Sequence, residues 1–126
     1  TAEALKAEGV RRVGILATDG TLRSGVYQRE LSAYGIASVC PEGEDQVAVM
    51  RLIYDGIKAN APTFDTAAVR RAIDTLRAQG AERIVLGCTE LPVAFARYGI
   101  DASDAVDATD ILARAAVVAA GYPLKP

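Results

Sequence analysis

The chain has two cysteines, Cys40 and Cys88, and no histidine. A Cys-His dyad, a Ser-His-Asp triad and a His-rich metal site all need an imidazole, so proton transfer here falls to thiol, carboxylate, lysine or hydroxyl. Cys88 is the thiol placed for such work. It lies in VLGCTELP, residues 85–92, where an apolar run gives way to polar residues and a proline. A cysteine acting as a small buried hydrophobe belongs inside such a run, not at its mouth. Gly87 permits close approach, and Thr89, Glu90 and Pro92 read as the first turn of a short helix through Tyr98, proline being tolerated there. A thiol at a helix N-terminus gains thiolate character, so Cys88 is expected to ionise readily. Thr89 could bond either the sulfur or a substrate carboxylate. Glu90 reads as a helix N-terminal charge and is a secondary candidate. Cys40, in SVCP, lacks polar neighbours of this kind and reads as structural.

A second loop, ATDGT at residues 17–21, follows the first apolar run. Thr18, Gly20 and Thr21 offer two hydroxyls and a flexible backbone that could donate to a carboxylate or phosphate. Taken alone, the same residues read sooner as a capping and turn sequence than as a ligand loop. Lys58, near the end of an amphipathic stretch, reads by itself as a solvated cation at a helix C-terminus.

The elements that must position these groups alternate. Residues 2–8 read as the last turns of a helix closed by Gly9. Residues 12–18 are a β-branched apolar run with little alternation, as a strand covered on both faces would be. Tyr27, Leu31 and Tyr34 mark one helix over residues 23–34. A short strand over 36–40 stops at Pro41. Val47, Met50, Tyr54 and Ile57 repeat at helical spacing, which assigns Tyr54 to the core, and the pattern breaks at Asn60-Ala61-Pro62. Val69, Ile73 and Leu76 mark a further helix ending at Gly80, with Thr63 or Asp65 as its cap. Residues 83–87 form a third strand, Val106-Asp107 a brief fourth, and residues 108–120 an alanine-rich helix closed by Gly121 and Pro123. The sum is an α/β three-layer sandwich with a mostly parallel four-stranded sheet. In such sheets ligands bind beyond the carboxyl ends of the strands, which is where both loops fall.

Composition narrows the classes of function. A length of 126 residues suits one domain, and 51% hydrophobic with 24% charged residues is globular rather than disordered. Basic residues are scattered and the formal net charge is −2, which argues against a nucleic-acid surface. No apolar segment approaches the roughly 18 to 20 residues that span a bilayer, and no signal peptide opens the chain. Two thiols without a disulfide framework fit a reducing compartment, so the reading is a cytoplasmic protein with no membrane partner.

The runs ILATDGT (residues 15–21), IYDGIK (53–58) and VLGCTELP, in that order, together resemble the second half of the aspartate/glutamate racemase superfamily. The match is closest to the aspartate racemase and broad-specificity amino-acid racemase branch. The resemblance implies two similar α/β domains with the active site in the cleft between them and one cysteine supplied from each side. It implies a small amino-acid substrate, aspartate or a related acidic one, no pyridoxal phosphate or metal cofactor, and a homodimer at full length. In those terms Cys88 is the second-domain cysteine, a thiolate base for one enantiomer and a thiol acid for the other. Thr89 contacts the substrate. Thr18 and Thr21, with Gly20 between them, match the loop that holds a substrate carboxylate, and Lys58 matches a lysine near the cleft.

The N-terminal half and its cysteine are absent from this sequence, and Cys40, on a different strand, does not replace it. The start at a helix end therefore reads as a fragment, the tail YPLKP as a natural terminus, and the isolated half as inactive. Two other readings stay open. One is a different chemistry of the same superfamily: hydantoin racemase, maleate isomerase or a decarboxylase. The other is a small-ligand-binding module whose Cys88 merely packs.

Overall fold

The structure, a computed structural model, describes residues 1–109 and 119–121. Four strands, β1 (Arg12–Leu16), β2 (Ala37–Val39), β3 (Arg83–Leu86) and β4 (Ala105–Asp107), form one sheet in the order β2-β1-β3-β4, with every pairing parallel. Between them run α1 (Ala2–Ala7), α2 (Asp19–Ser24), α3 (Val26–Ala33), α4 (Glu44–Arg51), a π-helix (Leu52–Lys58), α5 (Ala67–Ala78) and α6 (Glu90–Tyr98).

The unalternating apolar character of β1 and β3 has a direct cause: both faces of the sheet are covered. Val13, Ile15 and Val85 pack with Leu5 and Leu31 in one cluster. Leu16, Ile84 and Leu86 turn the other way, into a cluster with Val49, Ile53, Ile73, Leu76, Leu91 and Phe95. Helices α1 and α3 thus cover one face, and α4, α5, α6 and the π-helix the other. The α/β three-layer reading stands, and the sheet is wholly parallel.

Three expectations about elements change. The first strand stops at Leu16, so Thr18 leaves the sheet to cap α2. The single helix expected over 23–34 is two, because Gly25 takes a left-handed φ of 69° and closes α2 just before α3 begins. A left-handed residue cannot continue an α-helix, and glycine adopts that conformation without the Cβ penalty. Tyr54 is not core: it is 46% exposed, because the π-helix carries only Leu52, Ile53 and Gly56 inward. The alanine-rich helix expected over 108–120 lies mostly outside the described residues. Among the described residues no helix is long and apolar enough to cross a membrane.

A side-chain fork ties the layers together at the sheet edge. Arg77, in the last turn of α5, donates from Nε and Nη2 to the two carboxylate oxygens of Asp104 just before β4, both at 2.8 Å. Hydrogen bonding from that guanidinium holds the Asp104 carboxyl below its ordinary value. A depressed folded pKa gives stability that is present above the unfolded value and lost as pH falls through the folded one. Asp104→Asn is therefore expected to cost about 1 to 2 kcal/mol at neutral pH after allowance for solvent screening of the pair. The difference from wild type should shrink below about pH 5. Urea denaturation of both proteins across that range is the check; a pH-independent difference would show that the ion pair is not its source.

Candidate active site

The sheet order sets the site. β2 lies on one side of β1 and β3 on the other, so the chain reverses direction across the sheet between β1 and β3. In open parallel sheets that switch point opens a crevice at the strands' carboxyl ends. Leu16 pairs with Leu86 in register, and the Gly87 amide donates to the Leu16 carbonyl at 2.8 Å. Residues 17–21 and 87–90, the two loops singled out in the sequence, therefore leave the sheet side by side.

The threonine loop is built as a cap. The Thr18 hydroxyl accepts from the Thr21 amide at 3.3 Å and donates to the Thr21 hydroxyl at 3.1 Å. Both side chains stay half-buried. Gly20 is exposed in the first turn of α2, with open space where a Cβ would stand. Sequence reasoning missed the residue that fixes this loop. Gln46 on α4 donates from Nε2 to the Ala17 carbonyl at 3.0 Å and to Asp19 Oδ1 at 2.9 Å. A glutamine in the first turns of a helix carries no sequence signal for a bond reaching back across 29 residues.

Cys88 is a free, half-buried cysteine directly before α6. Its thiol donates to Glu90 Oε2 at 2.7 Å, and the Thr89 hydroxyl donates to the same oxygen at 3.0 Å. Lys58, the last residue of the π-helix, brings Nζ to 3.7 Å from Glu90 Oε1 and 4.8 Å from the centroid of the Tyr54 ring. One-turn π segments recur at functional sites, and this one ends at the cation of the cluster. Thus Cys88, Thr89, Lys58 and Glu90 are brought together, with Glu90 at the centre rather than at the margin. Thr89 turns to Glu90, not to the sulfur.

The electrostatics correct the expectation of a readily ionised thiol. Burial pushes the Cys88 thiol up and the Glu90 carboxylate pushes it further, while the Glu90 backbone amide and then the Lys58 charge pull it back in part. The short approach to a helix N-terminus is outweighed. The Glu90 carboxyl moves the other way, held down first by the Cys88 hydrogen bond and then by those of its own backbone and Thr89. Cys40 is also pushed up by burial, but its partner is the neutral Gln28 amide, at 3.8 Å, in the cluster on the opposite face. The two cysteines differ in their partners more than in their exposure.

Two further groups reach the same edge. The Tyr27 ring of α3, read from the sequence as an ordinary helical stripe, lies against Gly87: a Cβ there would stand 2.9 Å from Tyr27 Cε2 and 3.3 Å from the Ala17 Cβ. Its phenol is pushed up by burial and by the negative charges of Cys88 and Asp107. Asp107, opposite Leu86 in the β3–β4 register, accepts the Thr109 amide at 2.9 Å. Among the described residues no group of three or more Cys, Asp or Glu side chains is placed to hold a metal ion.

Gly87→Ala is expected to displace the Tyr27 ring and cost about 1 to 3 kcal/mol, the range for overpacking a fitted contact. Gly87→Ala combined with Tyr27→Leu should recover most of that loss in thermal denaturation. Additive losses in the double variant would mean that the two residues are not in contact.

Known proteins share this sequence pattern and this fold. The Asp/Glu/Hydantoin racemase family model matches residues 1–116. A glutamate racemase from Desulforudis audaxviator (strain MP104C) is 30% identical over 91 residues, which are 72% of this chain and 32% of that protein. The Picrophilus torridus aspartate racemase superposes with a TM-score of 0.70 at 33% identity, covering 98% of this chain and 51% of that one. An aspartate racemase homologue from Pyrococcus horikoshii OT3 gives a TM-score of 0.80 at 28% identity, covering 95% of this chain and 53% of that one. The chain thus spans about half the length of the solved structures it matches. It belongs to the Asp/Glu/hydantoin racemase family.

Proposed function

We propose that this chain is the C-terminal lobe of a cofactor-independent amino-acid racemase acting on aspartate or a related acidic amino acid, with Cys88 as one of two proton-transferring thiols. The observation that carries this reading is the position of Cys88: half-buried just past the carboxyl end of β3, at the switch point of the parallel sheet, bonded to a carboxylate that Lys58 also faces. Racemisation requires a proton to leave the α-carbon on one face and another to arrive on the opposite face, so two groups must flank the carbon. Cys88 supplies one. The second cysteine comes from a further half beyond this chain, which spans about half the length of the solved relatives.

The neighbouring groups have roles that follow from their chemistry. Thr18 and Thr21 present hydroxyls to the substrate α-carboxylate, with Gly20 leaving the approach open. Thr89 lines the same mouth. Lys58 is the group suited to a side-chain carboxylate, since a compact ammonium on a flexible stem pairs with one readily. Holding the substrate in this way converts proton transfer into an intramolecular step. The branch is chosen by the lysine: only a substrate with a second carboxylate offers Lys58 an anion beyond Glu90.

The test is deuterium exchange at the α-carbon. L- and D-aspartate are incubated in deuterium oxide with the whole protein that contains this chain, without added cofactor. Exchange at the α-position with loss of optical activity from either enantiomer is the expected result. No exchange, or conversion of maleate in its place, overturns the reading.

A further inference from the structure

Resting on the reading of Cys88 as a proton-transfer group, we propose that Glu90 is a positioning residue that holds Cys88 in its protonated form, so that the resting site presents Cys88 as proton donor and the group opposite as acceptor. The geometry is that of a single proton shared across a short contact. Cys88 Sγ and Glu90 Oε2 are 2.7 Å apart, and the same oxygen accepts from the Thr89 hydroxyl at 3.0 Å. An ionised carboxylate is an acceptor only, so the sulfur must bring the hydrogen. Two anions at that distance repel; one proton on the pair does not. Between a thiol and a carboxyl the proton stays on sulfur, whose intrinsic pKa lies about four units higher.

Lys58 completes the arrangement. Its ammonium stands 3.7 Å from the other oxygen, Glu90 Oε1, and stabilises the carboxylate as a carboxylate. The titratable groups facing Cys88 are thus Glu90 on α6, Lys58 at the end of the π-helix and Tyr27 on α3, with Asp107 at the end of β4 acting on Tyr27. Glu90 is the one that touches the sulfur. When Cys88 donates, the group opposite takes the α-proton from the other face as that C–H bond breaks, the Cys88 S–H bond breaks and a new C–H bond forms, leaving a thiolate against a carboxylate. That repulsion favours recapture of a proton from solvent or from the next substrate and restores the donor. The two thiols of the site are thereby unequal before any substrate arrives.

The test measures the sulfur directly and does not depend on turnover. The rate of Cys88 carboxamidomethylation by iodoacetamide is followed against pH by peptide mass spectrometry, with Cys40 as the internal reference. In Glu90→Gln the Cys88 profile should shift to lower pH, and labelling at pH 7 should rise about tenfold, the effect of one pKa unit on the thiolate fraction. Glu90→Asp, which keeps the charge, should label more slowly than Glu90→Gln. Lys58→Met, which removes the opposing charge, should slow labelling below wild type.

An unchanged or higher midpoint in Glu90→Gln overturns the proposal. So does equal acceleration of Cys40, which would mean that the variant has merely loosened. Failure here is distinguishable from failure of the racemase reading: a protein that shows the labelling shifts but no α-carbon exchange keeps the poised thiol and loses the reaction, and the reverse result does the opposite.

Discussion

Cys88→Ala is expected to lower the racemisation rate of the whole protein about 10²- to 10⁴-fold, the usual weight of one positioned acid or base in the transition state. The loss should fall on kcat, because the sulfur moves a proton and does not anchor the substrate; KM should change only a few-fold. Stability should fall by less than about 1 kcal/mol, since a half-buried sulfur at the mouth of the sheet leaves no sealed cavity. Cys88→Ser keeps the shape and should be almost as inactive, because a hydroxyl ionises far above a thiol. Exchange of the α-proton, circular dichroism melting and KM together separate these outcomes. A variant that retains more than about a tenth of the activity would remove Cys88 from the mechanism.

Lys58→Met should separate acidic from uncharged substrates. A hydrogen bond to a charged group contributes about 1.5 to 3 kcal/mol, so kcat/KM for aspartate should fall about 10- to 100-fold. For an uncharged amino acid of similar size it should fall little. The lysine is not waiting empty: its ammonium is 3.7 Å from Glu90 Oε1 and lies over the Tyr54 ring. An incoming carboxylate must therefore share Lys58 with Glu90, and Glu90→Gln should tighten binding of the acidic side chain even as it alters the sulfur. Equal losses for aspartate and an uncharged amino acid in Lys58→Met would assign the lysine to structure, not selectivity.

Much of this arrangement was legible in the sequence because its signals are local. The continuous apolar runs before ATDGT and GCTE could only be covered strands, and strands of that kind deliver their following loops to one edge. Hence Cys88, Thr18 and Thr21 could be placed at a common rim before any coordinates. Signals that depend on direction were not legible. Periodicity put Val47, Met50, Tyr54 and Ile57 on one stripe, but the chain buries the neighbouring one, Ala48, Val49, Leu52, Ile53 and Gly56, and leaves Val47 and Tyr54 outside, Tyr54 under the lysine. The stripe of Tyr27, Leu31 and Tyr34 ran on as one helix because a lone glycine is tolerated in a pattern; only its positive φ breaks the element.

The charge balance around Cys88 was illegible for a related reason. Helix position argues for an acidic thiol, whereas the outcome depends first on how far the sulfur is buried and then on which way the side chain of Glu90 turns, and no spacing rule encodes either. Gln46 and Asp107 were missed because each acts across a long stretch of chain, Gln46 on the loop that follows β1 and Asp107 on Tyr27 of α3.

The two banks of this rim differ in how firmly they are held. The thiol follows β3, an interior strand whose backbone amides are locked by neighbours on both sides, so its carrier opens only when the whole domain does. Thr18 caps and Thr21 lies within Asp19–Ser24, a short helix that fully buries none of its side chains and is pinned to α4 through Gln46. Local opening of the rim therefore falls first on the threonine bank, which hangs on side-chain bonds where the sulfur hangs on a strand ladder.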